Sequence, residues 1–239
     1  MPKKMKKKSV FVPASDLPLI KEPNDFRASF HWRVFRILAE FVDGWNFLAD
    51  IKKSVSIFGS ARFAPGNKWY EEAKKTGAAL AKAGYGVVTG GGPGIMEGGN
   101  HGAYEAGGES VGLNISLPFE QRENEYLTKS IGFHYFFIRK VMLSYSASAY
   151  IYFPGGFGTL DELFELVTLV QTKKVSVSMP IILYGKKFWT PLMQWIESSM
   201  VDEYKTVSHG DLKIFQIVDS PEEVIKAVRK VQPRKEFYY

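Results

Sequence analysis

Three glycines in five residues, Pro154-Gly155-Gly156-Phe157-Gly158, limit what this chain can become. They follow Ala149-Tyr150-Ile151-Tyr152-Phe153, a short apolar run rich in β-preferring residues, which reads as a buried strand. After them Leu163, Phe164, Leu166, Val167 and Val170 recur at helical spacing. The stretch is therefore a turn from a strand into a helix N-terminus. Such a turn leaves amides without intrahelical acceptors, and the helix dipole adds partial positive charge there. Bare glycine backbone lets an anion come close, so the spacing predicts a phosphate site. A second reading stays open: Thr159-Leu160-Asp161-Glu162 matches a capping box, with Thr159 as N-cap and Glu162 at N3. Economy favours the phosphate, because a cap needs at most one glycine and glycine is the residue costliest in chain entropy.

The rest of the chain supplies a sheet for this turn. Ser54–Phe58 alternates and runs into Gly59-Ser60-Ala61-Arg62, a first strand and its loop. A helix follows from Trp69 to Ala83, then a strand at Gly86–Thr89. That strand enters a second glycine-rich loop, Gly90-Gly91-Gly92-Pro93-Gly94-Ile95-Met96-Glu97, and a helix carrying Ala103 and Tyr104. A third strand spans Ser110–Ile115, residues 120–126 read as a polar loop, and Phe133–Ser146 reads as an aromatic helix with Arg139 and Lys140. The run before the first-described turn is then the fourth strand, Pro180–Tyr184 the fifth and Phe215–Val218 the last, with helices at Trp189–Met200 and from Pro221. Alternating strands and helices predict a doubly wound parallel α/β sheet, whose ligands sit beyond the C-terminal strand ends at the switch point. Both glycine loops end strands on that side, so both are expected to face one crevice. Ser60 and Arg62 either line it or form a plain turn.

The first 50 residues stand apart. Residues 1–23 carry four prolines and are expected to be a flexible basic arm without regular structure; Lys3, Lys4, Lys6, Lys7 and Lys8 supply five units of the formal net charge of +6. The remaining chain is near neutral, which argues against a nucleic-acid-binding face. Residues 24–50 predict an extra N-terminal helix capped by Asn24 or Asp25, with Phe26, Phe30, Val34, Leu38, Phe41, Val42, Trp45 and Leu48 at steps of three and four. Its aromatics fit packing on the domain or a subunit contact. Residues 51–232 are expected to form the Rossmann-like domain that carries the crevice, and 233–239 a tail. No apolar run reaches the ~18 residues of a membrane span. Without cysteine there are no disulfides, thiolate metal sites or cysteine nucleophiles, which fits a cytoplasmic location. His31, His101, His134 and His209 lack ligand spacing, so no metal is expected.

Neither glycine loop is a dinucleotide fingerprint or a P-loop, so a mononucleotide or sugar phosphate fits better than NAD or ATP. The two loops, with Arg139-Lys140 between them, resemble the Lonely guy (LOG) family of cytokinin riboside 5′-monophosphate phosphoribohydrolases, whose pattern is PGGxGTxxE. Many members carry an older lysine decarboxylase label. The resemblance covers roughly residues 52–230, and Leu117-Pro118-Phe119-Glu120-Gln121 resembles a longer bacterial branch. It implies a Rossmann-like fold, a homodimer or higher homo-oligomer with the site near the subunit interface, and hydrolysis of the N-glycosidic bond of a nucleoside 5′-monophosphate such as AMP, without a cofactor. Carried over by position, Gly155, Gly156, Gly158 and Thr159 match the phosphate loop, with Gly91, Gly92, Gly94, Met96, Ser60 and Lys140 as further nucleotide contacts. Glu162 and Arg139 match the catalytic acid and arginine. Short members have His-Glu/Gln-Arg-Lys where this chain has Phe137-Ile138-Arg139-Lys140, which leaves the preferred base open. Such cleavage passes through an oxocarbenium-like sugar, which a carboxylate can stabilise while taking a proton from water. A non-catalytic nucleotide sensor or carrier is the alternative. A decarboxylase would need a Schiff-base lysine, and no lysine is placed as one.

Overall fold

The computed structural model describes residues 10–11, 26, 29–51, 53–115, 123–175 and 179–229. Eight parallel strands make one sheet in the order β1-β5-β4-β3-β2-β6-β7-β8. They are β1 (Val10–Phe11), β2 (Ser54–Phe58), β3 (Gly86–Thr89), β4 (Ser110–Ile115), β5 (Lys129–Phe133), β6 (Ala149–Tyr152), β7 (Ile181–Tyr184) and β8 (Phe215–Val218). The helices are α1 (Phe30–Ala49), α2 (Lys68–Lys82), α3 (Ile95–Glu105), α4 (Phe136–Tyr145), α5 (Phe157–Gln171), α6 (Lys186–Trp195) and α7 (Pro221–Val228). This is the α/β, Rossmann-like doubly wound architecture, with α1 as the extra helix. Strands β2 to β4, β6 and β7 are buried on both faces, as all-parallel sheets require, so they read as continuous apolar or small-residue runs.

Two apolar layers hold the sheet. On one face Leu48 of α1, Met142 of α4 and Leu163 and Leu166 of α5 pack with Tyr150 and Tyr152 of β6. On the other, Ala73 and Leu80 of α2, Ile95 and Ala103 of α3 and Val224 of α7 pack with Val55, Ile57 and Ile151. From β2 the chain winds outward through β3, β4 and β5, then returns to pair β6 on the opposite side of β2. The winding therefore reverses between β2 and β6, and the loops at residues 59–62 and 153–158 meet there. The Ser60 amide donates to the Pro154 carbonyl at 3.1 Å, tying the two together.

Four local expectations need correction. Lys129–Phe133 is a strand, and with Val10–Phe11 it makes β6 the sixth strand, not the fourth; Lys129 and Gly132 hide the pattern, although Ile131 and Phe133 are buried. The arm contributes Val10–Phe11 to the free edge of β5, where two β-preferring residues suffice to pair. Helix α1 starts at Phe30 rather than near 24, because Ser29 caps it by accepting from the Trp32 amide at 3.2 Å. Helix α3 starts at Ile95, well ahead of Ala103, and α6 continues as a π-helix over Ile196–Glu203. The remaining arm residues, Asn24 and Asp25, the Leu117–Gln121 stretch and the 233–239 tail lie outside the described residues.

The aromatic pattern of α1 divides by face. Leu48, Glu40 and Gly44 are buried against the domain, while Phe30, Val34, Phe35, Leu38 and Val42 stay exposed.

Candidate active site

The 154–158 turn is open. Gly155 has a packing reason, since a Cβ there would stand 2.1 Å from Thr159 Oγ1. Gly156 and Gly158 have none: a Cβ on either would meet nothing within 4 Å. Helix α5 starts at Phe157 with Gly156 as N-cap and no side-chain cap. Thr159 is thus the third helical residue, buried, and the capping-box reading is overturned. The Thr159 and Leu160 amides turn back onto the Gly156 carbonyl at 3.0 and 3.1 Å. The Phe157 and Gly158 amides come before any intrahelical acceptor is available. Phe157 is 92% exposed, an apolar ring standing beside this bare backbone.

One turn further along α5, Glu162 points inward while Asp161 stays exposed. Glu162 is 7% exposed and its Oε2 has no hydrogen-bond partner. Burial pushes its pKa up to about 7, partly opposed by the positive charges of Lys140 and Arg139. A carboxyl that exchanges its proton near neutrality is suited to acid–base work. Tyr152, fully buried on β6, donates its hydroxyl to the Glu162 carbonyl at 3.2 Å and so fixes this turn of the helix.

Arg139 enters from α4. Its Nε donates to the Leu113 carbonyl at 2.9 Å, at the end of β4. Its Nη2 lies over Gly90, where a Cβ would come within 2.5 Å. Burial lowers its pKa and the Glu162 charge works against that; a guanidinium stays protonated in either case. Lys140, expected on the phosphate, is placed on α5 instead. Its Nζ pairs with Asp161 at 2.5 Å and Glu165 at 3.0 Å. Burial acts to lower its pKa, but the two ionic hydrogen bonds outweigh burial and leave it raised.

The 90–94 loop is shut. A Cβ on Gly91 would stand 1.8 Å from Asn114 Oδ1, and one on Gly94 2.3 Å from the Ser60 carbonyl; both glycines also have positive φ. Met96 folds over the loop, with its Sδ against Gly90 and its Cε against Gly92. The Gly91 amide donates to Thr89 Oγ1 at 2.9 Å, and the Gly91 and Gly92 carbonyls accept from the Asn124 amide and Nδ2. Ser60 joins the loops through its backbone, while its hydroxyl accepts from the Arg62 amide at 3.1 Å. Arg62 itself is exposed.

The fold thus brings Arg139 onto Gly90 and couples its charge to Glu162, which sits one helical turn from the open glycines. Gly91, Gly92 and Gly94 serve the loop's own packing. Sequence reasoning missed the Thr89–Asn100–Asn124 network that holds this loop, in which Asn100 Oδ1 accepts from Thr89 at 2.6 Å and from Asn124 at 3.0 Å. The Gly98-Gly99-Asn100 string is a local signal that could have pointed to Asn100; nothing local points to Asn124. Among the described residues no group of three His, Cys, Asp or Glu side chains could hold a metal ion. No described helix is long and apolar enough to cross a membrane.

Known proteins resemble this chain to different depths. The family model described as "possible lysine decarboxylase" matches residues 96–228. A cytokinin riboside 5′-monophosphate phosphoribohydrolase of Rhodococcoides fascians is 28% identical over 157 residues, covering 64% of this chain and 79% of that protein. Among solved structures, the molybdenum cofactor carrier protein of Chlamydomonas reinhardtii superposes with a TM-score of 0.57 at 20% identity, covering 75% of this chain and 97% of that one. The molybdenum cofactor binding protein of Rippkaea orientalis gives 0.53 at 21%, covering 75% and 96%. At these identities the two structures speak for the fold alone.

Proposed function

We propose that this chain, which belongs to the Lonely guy family of the "possible lysine decarboxylase" description, hydrolyses the N-glycosidic bond of a nucleoside 5′-monophosphate to free base and ribose 5-phosphate. One observation carries the reading. A buried carboxyl with an unpartnered oxygen stands one helical turn from glycines that the protein's own packing does not require. The 5′-phosphate binds the Phe157 and Gly158 amides, and Gly156 and Gly158 give it room. Arg139 offsets the charge that gathers as phosphate and carboxylate come together.

In the reaction, water attacks the anomeric carbon as the bond to the base nitrogen breaks. The electron pair of that bond leaves with the base, which takes up a proton. Glu162 accepts a proton from the water as its oxygen bonds to carbon. Lys140 acts at one remove: held by Asp161 and Glu165, its charge favours the ionised form of Glu162. The decarboxylase wording of the family lacks a chemical counterpart here. A Schiff-base lysine must shed its proton, whereas two carboxylates keep Lys140 charged.

A second reading is a nucleotide carrier, with which a fold shared with two molybdenum cofactor proteins is compatible. Incubation with AMP and with N6-prenylated AMP, followed by chromatography, separates the two. Free base with ribose 5-phosphate supports hydrolysis; bound but intact nucleotide supports the carrier. The same proposal includes a homo-oligomer, supported by the exposed Val34, Leu38 and Val42 of α1, which light scattering would test.

A further inference from the structure

Helix α4 carries Arg139 but has no cap of its own. Tyr135, at the N-cap position, makes no side-chain hydrogen bond to the helix. The acceptor comes from 95 positions away in the chain. Glu40, midway along α1 and 1% exposed, accepts from the His134 amide through Oε1 and from the Tyr135 amide through Oε2, the latter at 3.0 Å. A carboxylate there satisfies two N–H groups that the helix cannot and meets the positive end of its dipole. The contact needs close approach, and Gly44 provides it: a Cβ there would stand 2.8 Å from Met142 Sδ of α4.

The chain of contacts runs on to the guanidinium. The Tyr135 carbonyl accepts from the Ile138 and Arg139 amides at 3.1 and 3.2 Å. Glu40 therefore grips the amide of Tyr135, the residue whose carbonyl receives the Arg139 amide, and Arg139 Nε is fixed at its far end on Leu113. We propose that Glu40 is a positioning residue for Arg139, which makes α1 a working part of the site although it lies outside the residues that the family model matches. The role given to Arg139 rests on the hydrolase reading above.

A double-mutant cycle on the full chain tests this, with AMP as substrate and base release as the readout. Glu40→Gln should lower kcat about tenfold, with KM little changed. It should lower kcat no further once Arg139 is already Ala. Equal losses in both backgrounds would overturn the proposal, because Glu40 would then act on the fold at large and not through Arg139. Glu40→Asp, which keeps the charge, should restore part of kcat; an Asp variant no better than Gln counts against it. Hydrogen exchange reads the cap without turnover: the Ile138 and Arg139 amides should exchange faster in Glu40→Gln, and unchanged rates would refute the cap. If the wild-type protein releases no base, the hydrolase reading falls while the exchange result still decides the cap.

Discussion

Two glycine-rich turns flank β2 in this sheet, and glycine means something different in each. In the 90–94 loop every glycine faces protein: Asn114, Met96, Arg139 or the Ser60 carbonyl occupies the space where a side chain would go. In the 154–158 turn, Gly156 and Gly158 face nothing. Glycine in a helix costs about 1 kcal/mol relative to Ala, yet Gly158 occupies the first turn of α5 without a packing reason. The closed loop is explained by the fold. On our proposal the open one is explained by the phosphate it binds. Motif spacing treats the two alike; only the space around each Cα separates them.

The comparison breaks most visibly at Gly91. Gly91→Ala drives a Cβ into Asn114 at a positive φ, so a loss of at least about 3 kcal/mol in denaturant stability is expected, with soluble yield falling to match. Gly156→Val should leave the melting temperature near wild type and weaken ribose 5-phosphate binding at least ~100-fold by calorimetry, since two charge-assisted bonds to the phosphate are lost. Retained affinity would make the open turn an ordinary one. Gly158→Ala should raise stability by up to about 1 kcal/mol while weakening the same ligand, so that stability and affinity move in opposite directions.

Glu162 sharpens the contrast from the other side. Glu162→Gln should lower turnover on the order of 10³-fold and keep nucleotide affinity. It should also stabilise the fold above neutrality. In the unfolded chain Glu162 ionises near 4.5 and in the fold near about 7, so between those values the folded state holds the extra proton. Its contribution to stability is therefore complete below about 4.5 and is lost as pH rises through about 7. At pH 8 the Gln variant should gain on the order of 3 kcal/mol at most in denaturant stability. Wild-type kcat should rise with pH through about 7, as the base form appears. Lys140→Met should move that limb upward by about one pH unit, and an unmoved limb would leave Lys140 a purely structural ion pair.

Local chemistry was legible in the residues. Strands β2, β3, β4, β6 and β7 and the strand-to-helix turn at Gly155–Gly158 all follow from short-range pattern, because fully buried parallel strands and glycine turns each leave a continuous signature. The strand at Lys129–Phe133 escaped because its two large apolar residues, Ile131 and Phe133, are interspersed with Lys, Ser and Gly, and the aromatics that follow extend a helical pattern backward. The capping-box reading starts α5 three residues too late, because Thr159 and Glu162 have capping-box spacing while the bare Gly156 occupies the N-cap. The ion pairs of Lys140 escaped for a different reason. Its partners, Asp161 and Glu165, lie on another helix, and pattern reveals no partner across 20 or more positions. Glu40 is the extreme case: a charged residue in an apolar helix reads as solvated until its two amides are found.

Base release from AMP and from adenosine, compared in the wild-type protein and in Gly156→Val, tests most directly whether the open turn grips a 5′-phosphate for Glu162. Adenine should appear from AMP with the wild type, and neither from adenosine nor with the valine variant. Equal release from AMP and adenosine, or a valine variant as active as the wild type, would contradict it.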